Sequence, residues 1–263
     1  MGSNSLEEII NKKKEILNLL KNKFKIEDLN YKIKKYKKYL DFKEKINSNL
    51  SEGKFSLIAE IKKASPSAGV IVEDYNPVTI AGIYEKNKAT CLSVLTEEDF
   101  FSGSLDHISK IKEKVNLPIL CKDFFIDKFQ IPLAKSYGAD AILLIVAALT
   151  QNQLEELYNT ALEYKMSIII EVHTVDEANR IANFKNAIIG INNRNLKTLK
   201  TDLNNTFEIY KTLNNFDGIL VSESGIKNKD DVLKISNQTN IKTFLIGESL
   251  LKNLDSNSIF SIL

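Results

Sequence analysis

Charged or polar side chains interrupt four apolar runs of this 263-residue sequence near their carboxyl ends, and their types are those of proton transfer. In Ile58-Ala59-Glu60-Ile61-Lys62, a two-residue side-chain period puts Glu60 and Lys62 on the face of Ile58. In Leu120-Cys121-Lys122-Asp123-Phe124, it puts Leu120, Lys122 and Phe124 on one face and Asp123 on the other. The runs Ile169-Ile170-Glu171-Val172-His173 and Gly190-Ile191-Asn192-Asn193-Arg194 end in the same way. One such charge would read as a solvated strand end; several together point to a site. Charge directed into an apolar interior is costly unless paired, so Glu60, Lys62, Lys122 and Glu171 are expected as a mutually compensating cluster around a polar ligand. The shifted ionisation of such a cluster is what general acid and base work requires. Two later runs lead into small residues, Ser222-Glu223-Ser224-Gly225-Ile226 and Ile246-Gly247-Glu248-Ser249-Leu250. Each is expected to open a helix directly, where backbone N–H groups can approach a phosphate; a tight strand-to-helix turn is the plainer reading.

The elements that must carry these residues repeat from Phe55 onward as eight units of apolar run, polar turn and helical stretch. The spacing predicts strands over Ser56–Ile61, Cys91–Leu95, Pro118–Lys122, Ala141–Val146, Ser167–Val172, Ala187–Ile191, Gly218–Ser222 and Thr243–Ile246. It predicts helices over Val78–Asn87, Leu105–Val115, Phe129–Tyr137, Asn152–Tyr164, Val175–Phe184, Asn204–Leu213 and Lys229–Ser236. Such alternation implies a parallel sheet, and nearly continuous apolar strands imply a sheet covered on both faces. Eight even units, with no glycine-rich dinucleotide turn after the first, favour an α/β fold of the (β/α)8 (TIM) barrel type with extra N-terminal helices. Residues 55–263 are read as the barrel and residues 1–54 as one or two helices covering one of its ends. Met1–Ser5 reads as a vector-derived scar.

Composition narrows the function classes. Net charge is +2, but residues 1–54 hold 14 Lys against 8 Asp or Glu, so this segment is +6 and the remainder −4. Its aromatics fall at helical spacing among the lysines, as in amphipathic helices with a solvated basic face, so no nucleic acid is expected as partner. Cys91 and Cys121 lie in apolar runs and read as buried thiols of a reducing compartment. With no apolar run long enough to cross a bilayer and no signal region, the protein is expected to be cytoplasmic and to bind no membrane.

At this point the residues resemble a known family, the indole-3-glycerol-phosphate synthases. The resemblance is carried by Ala59-Glu60-Ile61-Lys62-Lys63-Ala64-Ser65-Pro66-Ser67, by Ser93-Val94-Leu95-Thr96-Glu97 with Phe101-Ser102-Gly103-Ser104, and by Lys122-Asp123-Phe124. It continues through Leu144–Leu149, Glu171-Val172-His173, Gly190–Leu196, Ser222–Ile226 and Gly247-Glu248-Ser249-Leu250, spanning essentially the whole barrel. The resemblance implies a lyase of tryptophan biosynthesis that converts 1-(2-carboxyphenylamino)-1-deoxyribulose 5-phosphate into indole-3-glycerol phosphate with loss of carbon dioxide and water. It implies no cofactor and no metal, with a small molecule as the partner. It further implies Lys122 as general acid, Glu171 as the group managing protons in dehydration, and Glu60 and Asn192 on the substrate hydroxyls. Lys62 would pair with the anthranilate carboxylate, and how the two lysines divide the acid role stays open. Ser65 and Arg194 would support the substrate, Phe101, Phe124 and Leu143 would line the aromatic ring, and Ser224, Gly225, Gly247 and Glu248 would surround the phosphate.

The sequence departs from the family pattern at Cys121, where arginine is common, at Ala68, where lysine is frequent, and over Asn237–Asn240, where a glycine-containing turn is usual. Competing readings are a Schiff-base aldolase barrel with Lys122 as nucleophile and a non-catalytic phosphate-binding barrel. A monomer is expected, and association with other tryptophan-pathway enzymes stays open.

Overall fold

The computed structural model describes residues 6–181, 183–254 and 256–263, so Met1–Ser5, read above as a scar, lies outside the described residues. Eight parallel strands close into a barrel: β1 (Ser56–Ile61), β2 (Cys91–Leu95), β3 (Ile119–Lys122), β4 (Ala141–Ile145), β5 (Ser167–Val172), β6 (Ile188–Asn192), β7 (Leu220–Glu223) and β8 (Thr243–Ile246). Each strand pairs with its sequence neighbours, and β1 completes the ring against β8, with Ser56 opposite Thr243. Three helices precede the barrel: α1 (Leu6–Lys23), α2 (Ile26–Lys35) and α3 (Phe42–Ser51). Those that follow are α4 (Pro77–Lys86), α5 (Leu105–Lys112), α6 (Gln130–Ser136), α7 (Gln151–Glu163), α8 (Val175–Asn179), α9 (Asn204–Thr212), α10 (Lys229–Gln238) and α11 (Glu248–Lys252).

Helix starts are fixed by side chains that accept the orphan first-turn N–H groups: Asn76, Ser104, Thr150, Thr174 and Asn228. Thr150 and Gln153 complete a reciprocal capping box. The stretch expected to be helical over 175–184 is helical only to Asn179. Arg180 donates from there to the carbonyls of Val146 and Leu149, which ties this turn back to the preceding loop.

Register determines what fills the lumen. A barrel of this type steps one residue along per strand, so side chains at one height come from alternate strands in sets of four. Here Cys91, Ala141, Ile188 and Thr243 form the lowest set, then Ile58, Leu120, Ile169 and Val221, then Ser93, Leu143, Gly190 and Leu245. The other strand faces, among them Leu57, Ala59, Ile61, Val94 and Ile170, pack against the helices as the larger core.

Phe42 and Ile46 of α3 are fully buried in the lumen cluster with Ile58, Cys91 and Ile188, so α3 plugs the barrel at the amino ends of its strands. Leu40 N donates to Asp140 Oδ1 (2.7 Å) and Lys43 N to Ser167 Oγ (3.2 Å), pinning the plug to the start of β4 and of β5. Helix α1 lies at the other end, beside the 3-10 turn Val146–Ala148 that follows β4.

Candidate active site

One step above these three sets, whose only polar side chains are the hydroxyls of Ser93 and Thr243 and the thiol of Cys91, the lumen turns charged at the carboxyl ends of the strands. Glu60, Lys122, Glu171 and Glu223, from β1, β3, β5 and β7, occupy that single height, as the register Leu95 to Lys122, Ile145 to Glu171, Asn192 to Glu223 and Glu60 to Ser93 requires. Lys122 Nζ donates to Glu171 Oε2 (3.0 Å) and to Glu223 Oε2 (3.1 Å). Lys62, one step beyond β1, donates to Glu60. Four charged groups expected together therefore share one cup, and a third carboxylate joins them.

Burial and charge act against each other at every member. Burial pulls the Lys122 ammonium toward neutrality, but Glu171, Glu223 and Glu60 outweigh it and raise its pKa. Burial pushes Glu60 up, yet Lys62 and Lys122 hold its carboxyl below the usual range. Glu171 is driven further down, because Lys122 and His173 overcome its desolvation. Glu223 goes the other way: burial and the adjacent Glu171 carboxylate push its pKa up, so of the two it is the carboxyl that holds a proton more readily. His173 Nε2 lies 3.2 Å from Glu171 Oε1 and its Nδ1 3.5 Å from Glu177 Oε2. Burial lowers the imidazole, but the two carboxylates raise it to about 9.

Two glycines make the layer possible. A Cβ on Gly190 would meet Glu223 Oε1 at 2.0 Å, and one on Gly247 would meet Glu60 Oε1 at 2.5 Å. Each carboxylate thus occupies space that a side chain on the neighbouring strand would take.

The remaining expected residues surround the cup. Asn192 Oδ1 accepts from Arg194 N (2.9 Å), and Arg194 Nη1 donates to Leu199 O (2.7 Å). Phe101 and Phe124 stand with ring centroids 6.2 Å apart and planes inclined by 42°. Leu143 lies in the set directly beneath the charges, in the cluster against which Phe124 packs. Ser65 sits on a two-stranded ribbon, Ala64–Ser65 against Gly69–Val70, that follows Lys62, and its Oγ accepts from Ala68 N (3.2 Å). Gly247 caps α11, as expected, and Glu248 is held low mainly by its bond to Lys252, with Lys62 and Arg194 adding to the same effect. The expectation that Ser224-Gly225 opens a helix directly is corrected: both residues have positive φ, +67° and +78°, the chain turns through them, and α10 begins only at Lys229. Cys121 faces the outer core, away from Lys122.

Glu223 was not among the residues singled out from the sequence. The predicted strand ended at Ser222, leaving the glutamate in a turn, whereas Ile219, Val221 and Glu223 continue the inward alternation.

Comparison with known proteins agrees over nearly the whole chain. The family model described as indole-3-glycerol phosphate synthase matches residues 6–262. Proteins of that name are similar to this chain in Prochlorococcus marinus subsp. pastoris (45% identical, covering 98% of this chain and 88% of the relative) and Trichodesmium erythraeum (43%, 95% and 84%). Another, from Aliarcobacter butzleri, is 41% identical over 94% of this chain and 93% of its own. Among solved structures, a 3-hexulose-6-phosphate synthase superposes with a TM-score of 0.60 at 12% identity over 79% of this chain and 95% of that one, a likeness of fold alone.

Proposed function

The chain belongs to the indole-3-glycerol phosphate synthase family of tryptophan-biosynthesis enzymes, and we propose that it closes the indole ring of 1-(2-carboxyphenylamino)-1-deoxyribulose 5-phosphate in the cup around Lys122. The ring carbon bearing the carboxylate attacks the ketone carbon, and Lys122 gives a proton to the ketone oxygen as charge develops there. The carbon–carboxylate bond then breaks, its electron pair restores the aromatic ring, and carbon dioxide leaves. In the last step the new hydroxyl takes a proton and departs as water, while Glu171 accepts the proton lost from the adjacent carbon. Glu223, 3.1 Å from Lys122 Nζ and with its pKa raised, returns a proton to the amine between the two transfers.

The observation that carries this reading is the ammonium of Lys122 held in the lumen by the Glu171 carboxylate and the Glu223 carboxyl group. The same surroundings disfavour a Schiff-base aldolase, which needs a neutral lysine nucleophile. Lys62, Ser65, Arg194 and Asn192 hold the carboxylate and hydroxyls, and the turns at Ser224-Gly225 and Gly247-Glu248 offer backbone N–H groups to the phosphate. Gripping both ends of a flexible substrate removes much of the entropic barrier to closure. Fixed proton-transfer groups typically contribute about 10²–10⁴-fold. Lys122→Ala is therefore expected to lose turnover on that scale, read by indole fluorescence on mixing with the substrate, while substrate binding persists. Wild-type turnover in this variant would refute the acid role.

A further inference from the structure

Helix α1 precedes the barrel by more than thirty residues, yet Lys13 on it is as buried as the catalytic groups, and its ammonium lies 2.6 Å from Asp123 Oδ1. Asp123 is the residue between Lys122 and Phe124, on the opposite face of the strand end. The same Oδ1 accepts from Phe124 N (2.7 Å), and its Oδ2 accepts from Thr96 Oγ1 (2.7 Å) at the end of β2. Glu97, whose charge Lys13 also feels, accepts from the N–H groups of Phe100 (2.8 Å) and Phe101 (3.2 Å). One ammonium from outside the barrel thus closes a network that fixes the loops after β2 and β3, each of which presents one of the paired rings. Further along, Lys21 meets Asp127 at 2.6 Å, so α1 runs beside the β3 loop, though this second pair is solvated.

We propose that Lys13 is a positioning residue for the reaction: acting through Asp123 and Glu97, it sets the Phe101 and Phe124 rings against the aromatic end of the substrate. The proposal rests on the ring closure proposed above for its kinetic consequence, but not for its structural one. Lys122 itself is held from the other side by Glu171 and Glu223, so loss of Lys13 falls on substrate fit more than on proton transfer.

The protein contains no tryptophan, so a single Phe101→Trp substitution reports on this wall without substrate, and product indole is read without background. In steady-state assays Lys13→Ala is expected to raise KM about tenfold, the scale of one aromatic contact, with kcat changed by no more than about threefold. Lys13→Arg is expected to restore KM, and Lys21→Ala to leave it unchanged. In a Phe101→Ala background the Lys13→Ala effect should shrink to within about twofold, because both act on the same contact. In Phe101→Trp protein, Lys13→Ala should shift the emission to the red as the wall loosens. If Lys13→Ala fails to fold, Lys13→Met keeps the buried stem and removes only the charge. An unshifted emission, an unchanged KM in a folded variant, or effects that multiply with Phe101→Ala would each overturn the proposal. Absence of turnover in the wild type would instead count against the ring-closure reading, leaving the emission result to decide this one.

Discussion

A methyl group added at Gly190 would sit 2.0 Å from Glu223 Oε1, 3.0 Å from Glu223 Cδ and 3.2 Å from Ile169 Cγ2. Ordinary contact begins near 3.4 Å, so the carboxylate must retreat by about 1.4 Å. Glu223 has no solvent to retreat into, being 1% exposed, and its Oε2 is already 3.1 Å from Lys122. Either that contact opens or Lys122 follows and leaves Glu171. Misplacement on the scale of 1 Å costs about 10²-fold in rate, and overpacking a filled interior costs about 1–3 kcal/mol. Gly190→Ala is thus expected to lower kcat about a hundredfold, with Tm falling by roughly 2–10 °C. Shortening the neighbour by one methylene, in Gly190→Ala/Glu223→Asp, should recover part of both losses. Steady-state indole fluorescence and thermal unfolding measure these together. A Gly190→Ala enzyme with wild-type kcat would show that the position of Glu223 does not matter to the reaction.

For His173, the folded value near 9 lies above the free value of 6.5, so its charge contributes stability fully at acidic pH and loses it as pH rises through 9. The rise from the free value sets a ceiling of about 3 kcal/mol, so the urea-unfolding gap between wild type and His173→Gln should be widest near pH 6 and narrow by about pH 10; a gap constant with pH would refute this. Phe42→Ala removes a fully buried ring from the plug and should cost about 3–5 kcal/mol of unfolding free energy, while kcat, set at the far end of the barrel, stays within about twofold; a large kcat loss with little destabilisation would contradict that separation.

Strand order and most boundaries were legible because lumen and outer face are both apolar, giving dense runs that begin and stop sharply. β1, β2, β5 and β8 have the bounds read from sequence, and β3 starts one residue later, at Ile119. β4 stops one residue early, at Ile145, and β6 and β7 start later than read, at Ile188 and Leu220; at their carboxyl ends β6 extends to Asn192 and β7 to Glu223, because a polar residue that faces the lumen looks like a turn in one dimension. Glu60, Lys62, Lys122 and Glu171 were readable through the two-residue period, whereas Glu223 also needed the space left by Gly190, which comes from a different strand. The part of Lys13 was hidden for the same reason: nothing local distinguishes it from the neighbouring Lys12 and Lys14, and only the path of α1 brings it to Asp123. The three helices of the extension, read as one or two, are separated by short extended links that leave the lysine-rich pattern almost unbroken.

The extension reaches its partners far along the chain, from Leu40 to Asp140 across 100 residues, from Lys21 to Asp127 across 106 and from Lys43 to Ser167 across 124. During synthesis the amino-terminal segment leaves the ribosome first, yet its seat is incomplete until β5 has emerged, and the ring itself stays open until β8 arrives. For that interval its apolar stripes have nothing to cover. With 14 lysines against 8 acidic residues, the segment carries a charge of +6, and like charge of that size disfavours self-association of an exposed apolar stripe.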